Sequence, residues 1–155
     1  MNSIVLGAKA ISLVSGLGTE ILIETVKKTS TGIINTIQYI SSHNTIDLTQ
    51  LNNDLNTIDL ENKISIINIF IEEIETKKDI KESIKSSILS LHNILEKIKL
   101  EMEDIKKEVD HHVTKYLYTW RSFDCSDKII NLKHHNEILD KRFDLLIKLL
   151  SINLI

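Results

Sequence analysis

The chain reads as all-α, an elongated antiparallel up-down four-helix bundle with long helices, on three observations. Apolar residues alternate steps of four and three through Ile84, Ile88, Leu91, Leu95, Ile98, Met102, Ile105 and Val109, the cadence of a helix packed lengthwise against partners. No proline interrupts any of the 155 residues. The segments that carry this cadence are separated by short connections, which favours antiparallel neighbours crossing near 20°. A helix of roughly 40 residues spans about 60 Å at 1.5 Å per residue, too long for a compact globule of this size, so the bundle is expected to be elongated.

Four helices are predicted within a single domain, 1–155, at about 3–41, 47–77, 79–121 and 126–152. In the first, Ile4, Ala8, Ile11, Ser15, Leu22, Val26, Ile33, Ile37 and Ile40 share a face, and all four glycines of the chain, Gly7, Gly16, Gly18 and Gly32, fall in it. An interior glycine costs about 1 kcal/mol of helix propensity relative to alanine, so a kink is expected near residues 16–18. Ile4 to Ile23 is mostly uncharged, but Lys9 and Glu20 interrupt it and Ser, Gly and Thr are frequent. It reads as a packed helix, neither a signal peptide nor a spanning segment.

The second helix is entered through a short repeat, Asn44-Thr45-Ile46-Asp47-Leu48, which returns as Asn56-Thr57-Ile58-Asp59-Leu60. Asp47 with Gln50 has the spacing of a capping box, with Ile46 and Leu51 in the staple positions, and Asp59 is placed to cap in the same way. Residues 47–55 are therefore expected to form a short helix or an offset first turn. Leu60, Ile64, Ile67, Ile71 and Ile74 then make the seam, with Ile66, Ile69 and Phe70 widening it, so this helix should be the most buried. The third carries the long seam given above. The fourth carries Ile129, Leu132, Leu139, Phe143, Leu146 and Leu150, with Asn136 on the seam, where a polar residue fixes register.

Composition narrows the function. A domain of this length buries roughly 70% of the surface its unfolded chain exposes, so a core forms without staples. The single cysteine, Cys125, allows no intramolecular disulfide, and no Asn-x-Ser/Thr acceptor occurs, which points to a reducing, cytoplasmic setting. A net charge of −3 and pI near 6.1 argue against a phosphate-backbone binder, so nucleic acid is not an expected partner. Isoleucine, asparagine and lysine are abundant, whereas arginine (Arg121, Arg142) and alanine (Ala8, Ala10) occur twice each. This bias is that of an AT-rich coding sequence, and spacing is a better guide here than residue identity.

Two constellations invite chemistry. The pairs His111-His112 and His134-His135 flank a turn holding Cys125 and Asp127, which would let antiparallel helices bring the pairs within reach of one ion. A di-metal bundle, however, needs two Glu-x-x-His motifs, and only Glu108-x-x-His111 fits. Adjacent helical residues diverge by about 100°, so no metal ligand or cofactor is assigned. Extending the seam past Val109 turns His112 inward and His111 outward. A buried neutral His112 would have a depressed pKa, and acidification would then cost stability.

Tyr116, Tyr118, Trp120 and Phe123 gather beside Arg121 at the end of the third helix. Aromatics with arginine are favoured at interface hot spots and equally serve to plug a bundle end. Tyr118, Trp120, Arg121 and Phe123 are the candidate partner-binding residues. Charged runs such as Glu72-Glu73, Lys77-Lys78 and 101–108 read as a solvated face. No nucleophile with its base and no phosphate-cradling loop is present, so no enzyme activity is assigned.

The segments Leu91-His92-Asn93-Ile94-Leu95-Glu96-Lys97-Ile98, Tyr118-Thr119-Trp120-Arg121-Ser122 and Ile138-Leu139-Asp140-Lys141-Arg142-Phe143-Asp144-Leu145-Leu146 resemble those of uncharacterised helical-bundle proteins of giant DNA viruses, over roughly the second half of the chain. The resemblance implies a viral protein in host cytoplasm or virion, with no catalytic residues to carry over. By layout alone, a glycine-containing first helix leading a four-helix bundle is similar to the membrane-attacking HeLo and necroptotic bundles. The expectation is a non-enzymatic structural or protein-interaction bundle with coiled-coil-like packing, binding a protein partner or a second copy of itself. The alternative is a membrane-active bundle whose first helix leaves the core to insert.

Overall fold

A computed structural model describes residues 18–77, 79–115 and 122–153. Among them the chain is all-α, without a strand. Helix α1 spans Thr19–Ser42, a 3-10 turn covers Ile46–Leu48, α2 spans Thr49–Ile58, α3 Leu60–Glu75, α4 Glu82–Thr114 and α5 Ser126–Asn153. The first part of the expected first helix, with Gly7, Gly16 and the proposed kink, lies outside the described residues. Gly18 is extended (φ −61°, ψ 160°) and its carbonyl accepts the first hydrogen bonds of α1. Gly32 sits mid-helix facing the Lys99 side chain, and a Cβ there would meet that lysine's Cε at 3.4 Å.

The heptad steps become the core. All eight seam residues of α4 from Ile84 to Val109 are buried, as are Leu60, Ile64, Ile67, Ile71 and Ile74 of α3 and Ile129, Leu132, Leu139, Leu146 and Leu150 of α5. Leu22, Val26, Ile33, Ile37 and Ile40 supply the face of α1. Ile66 and Ile69, expected to widen the buried face of α3, are instead more than half exposed. The most enclosed element is α4, whose upper half also buries Ser87, His92 and Ile94 because it lies against both α1 and α5.

The expected helix 47–77 is broken at Asp59, which adopts a left-handed conformation (φ 60°, ψ 36°). Its amide closes α2 onto the Leu55 carbonyl, and its carbonyl opens α3 by accepting from Lys63 N. The short helix expected over 47–55 thus appears as α2, one step later. The capping chemistry differs. No side-chain cap forms at either repeat: Asp59 accepts only from the Asn62 side chain (3.3 Å), and Ile46, at 96% exposure, packs on nothing. Asp47 has turned inward to a different partner.

Cross-helix contacts give directions. Lys27 reaches Glu72 and Glu75 while Gln38 bonds Glu61, so α1 and α3 run opposite ways. Thr29 bonds Glu96 and Tyr39 bonds Asp110, so α1 and α4 run the same way. Arg142 donates to the Ser90 carbonyl at 2.8 Å, near the start of α4, whereas Phe123 packs on His112 near its end, so α4 and α5 oppose. Short connections were expected to make consecutive helices neighbours, but α3 and α4 are not among the principal packed pairs, which are α4 with α5, α1 with α4 and α1 with α3. Six residues, 76–81, reach about 20 Å, enough to carry the chain across the bundle end.

Candidate interaction surface

The α4–α5 turn is where sequence placed both the histidine and the aromatic constellations. Asp124 organises it: its carboxylate accepts from the Ser126 amide (2.9 Å) and from the Ser126 hydroxyl. Those two bonds hold the carboxyl below its ordinary range and seat a negative charge at the positive end of α5. Cys125 follows, buried, its thiol pushed up to about 11 by burial and by the carboxylate of Glu108. A thiol this high is protonated at neutral pH and is not a nucleophile.

His112 is buried as its seam position required, but it is not a lone imidazole. Its Nε2 pairs with the Asp47 carboxylate, and its ring meets Phe123 edge-on with centroids 5.2 Å apart. Burial pushes the Asp47 carboxyl upward, and the Thr45 hydroxyl, the His112 ring and the Asp47 amide together outweigh it, leaving the carboxyl below its ordinary value. The 3-10 turn is thereby fastened to the end of α4. The buried imidazole with a depressed pKa is His92, which sequence reasoning passed over. Burial lowers it most, Glu96 opposes and Lys99 adds. Its Nδ1 is enclosed without a hydrogen-bond partner, as is the Ser30 hydroxyl, while Glu96 accepts from Thr29 at 2.8 Å. The only sequence signal was spacing: His92 stands four residues from both Ile88 and Glu96.

The two histidine pairs are not brought together. His135 faces Glu101 and Lys97, about 16 Å along α4 from His112 at 1.5 Å per residue. His134 and His135 lie side by side with ring centroids 6.2 Å apart, and His111 is exposed. No group of three or more His, Cys, Asp or Glu able to hold a metal occurs among the described residues.

Of the four candidate partner residues, Tyr118, Trp120 and Arg121 lie outside the described residues, and Phe123 is half-buried against the core and His112. Phe123 also lines a recess of about 140 Å³ with Asp47, Gln50, Asp54 and Asp124. Asn136, the polar seam residue of α5, accepts from Lys63 Nζ at 3.1 Å, and Asp140 accepts from the same nitrogen at 3.1 Å. With Phe70 and Phe143 meeting edge to face at 5.4 Å, this bond ties α3 to α5.

The reading of the seam passed over the outward apolar residues of α5. Between 145 and 152 the helix has only Lys148 and Ser151 as polar residues, so it is apolar beyond its buried stripe. Leu145 (52% exposed) and Ile152 (69%) stand a heptad apart on the outside, with the exposed side chains of Lys141, Asp144 and Lys148 around them. No helix among the described residues is long and apolar enough to cross a membrane. Much of the first-helix segment that the membrane-insertion reading uses, residues 1–17, lies outside them.

No family model matches the chain, and no solved structure matches it. It is 33% identical over 79 residues to an uncharacterised protein of Acanthamoeba polyphaga mimivirus, an alignment that takes in 50% of this chain and 38% of that protein. The chain therefore matches well under half the length of this giant-virus relative, with which it shares a weak homology.

Proposed function

We propose that this is a non-enzymatic protein-interaction bundle of a giant virus, acting in host cytoplasm or virion. Its form is an elongated up-down four-helix rod with coiled-coil-like seams. The alternating directions of the cross-helix pairs support the up-down form. So does the 33-residue α4: at about 50 Å it exceeds the roughly 39 Å diameter of a sphere with the 15 Å radius of gyration usual for this length.

The observation that carries the functional reading is the outward apolar strip of α5. Large aliphatic side chains ringed by charge, on the outside of a helix whose inner face is already buried, have the composition of a contact patch: apolar at the centre and polar at the rim. A second copy of the chain is the partner it suits, because a strip on a straight helix is self-complementary about a two-fold axis. Tyr118, Trp120, Arg121 and Phe123 are proposed as a second contact.

Size-exclusion chromatography with light scattering tests this. The wild-type chain is expected above its 17.8 kDa monomer mass at high micromolar concentration, and Leu145→Lys with Ile152→Lys should return it to monomer with its helicity unchanged. Assembly that survives this double substitution, or a wild-type monomer at every concentration, would overturn the strip as a self-association surface. Tyr118→Ala with Arg121→Ala reports on the second contact in the same way.

A further inference from the structure

The outside of α5 carries a seam of its own. Ile138, Lys141, Leu145, Lys148 and Ile152 follow one another in steps of three and four, the same cadence that buries the inner face, and they lie on the side of the helix turned away from the buried Leu139, Leu146 and Leu150. Leu145 and Ile152 are more than half exposed, Ile138 is half-buried, and Lys141 and Lys148 are exposed. Asp144 runs beside the seam, also exposed, about one turn from each lysine. The outer seam therefore alternates aliphatic side chains with cations and has a carboxylate on its flank.

That charge pattern selects how a second copy can lie on it. A parallel, in-register pair would set Lys141 against Lys141 and Lys148 against Lys148, like charges at the centre of the contact, which association disfavours. We infer that the two α5 helices pair antiparallel, about a two-fold axis that crosses each helix near the level of Leu146. Positions equally far above and below that level then meet. Leu145 faces Leu145 of the second copy, offset by about 3 Å along the helix at 1.5 Å per residue. Asp144 of each copy meets Lys148 of the other, so one contact carries two reciprocal ion pairs. Ile152 comes level with Asp140 of the second copy and beside its Lys141, whose aliphatic stem covers the isoleucine while the ammonium stays in water. The pairing rests on α5 being the self-association surface proposed above, and adds its direction, its axis and the residues that set its register.

The test uses the full chain with one added cysteine, Leu145→Cys in one variant and Ile152→Cys in another, and wild type, whose Cys125 is buried, as the control. Under mild oxidation at high micromolar concentration, Leu145→Cys is expected to form a disulfide between chains. Ile152→Cys should form little, because its two copies lie about 18 Å apart along the helix. Equal yields for the two variants would show a parallel pair, and a disulfide from Ile152→Cys alone another register; either overturns the pairing while light scattering still finds a dimer. A wild-type monomer at every concentration overturns the self-association itself. Charge exchange gives a second reading by light scattering. Asp144→Lys and Lys148→Asp should each weaken association about fivefold or more, and the two together in one chain should restore it to within about threefold. Single substitutions without effect, or a combined variant as weak as either single one, would overturn the reciprocal ion pairs.

Discussion

Asp47 and His112 are 65 residues apart and meet near the end of α4, where a ring nitrogen and a hydroxyl surround the partly buried carboxylate. Asp47→Asn should cost about 2 kcal/mol at neutral pH, the usual worth of a hydrogen bond to a charged group. The sign of its pH dependence follows from the lowered carboxyl. Asp47 contributes stability above its ordinary unfolded value, and that contribution is lost as pH falls through the lower folded value. Urea unfolding of wild type and Asp47→Asn should therefore converge in acid, and curves that stay parallel down to pH 2 would contradict the pairing. His92 acts in a higher window. As a base with a depressed folded pKa, it takes up a proton in the unfolded chain first, so stability falls as pH drops below about 6.5, the unperturbed histidine value. His92→Leu should make the loss between pH 7 and 5 smaller, measured by the same melts; an unchanged loss would assign it to other groups. None of this was visible in the sequence, where periodicity located His112 on the buried face but could not say which distant carboxylate it would meet. His92 lies off the heptad and is buried only because α1 and α5 both cover the first half of α4.

At the scale of elements, sequence was most informative where one face alone decides burial. The α4 seam from Ile84 to Val109 and the α3 seam are buried as their spacing demanded, the α5 seam is buried except for half-buried Asn136 and Phe143, and α5 begins at Ser126, the expected start. It was least informative at junctions. The repeat at Asn56 marked a helix entrance correctly, but the left-handed Asp59 that produces it joins an α2 packed on α5 and α1 to an α3 packed on α1, tertiary contacts that local capping does not report. That conformation costs an L-residue roughly 1 kcal/mol or more, and glycine escapes it. Asp59→Gly is expected to hold or raise the thermal midpoint, whereas Asp59→Val should lower it by several degrees. Equal midpoints would mean the junction relaxes freely. Ile66 and Ile69 were misjudged for a related reason: an apolar face wider than the seam meets no partner on its outer side, because α3 packs on α1 from the other flank.

For the molecule as a whole, four apolar seams laid side by side make one interior, and the outward strip of α5 supplies what that interior does not use. The connection 76–81 joins two helices that are not principal neighbours, and α1 packs against both of them. Connection length alone did not reveal this, since a six-residue link serves adjacent and diagonal helices alike. The outward strip of α5 was not among the candidate surfaces that the sequence suggested. Apolar residues outside a seam look in sequence like a broadened core, and only the observed exposure of Leu145 and Ile152 separates the two. Small-angle X-ray scattering of the monomeric Leu145→Lys, Ile152→Lys chain tests the central claim most directly. A rod is expected, with a maximum dimension above the roughly 50 Å of α4 and a radius of gyration larger than the 15 Å of a compact chain of this length. A spherical profile with a maximum dimension near 40 Å would contradict it.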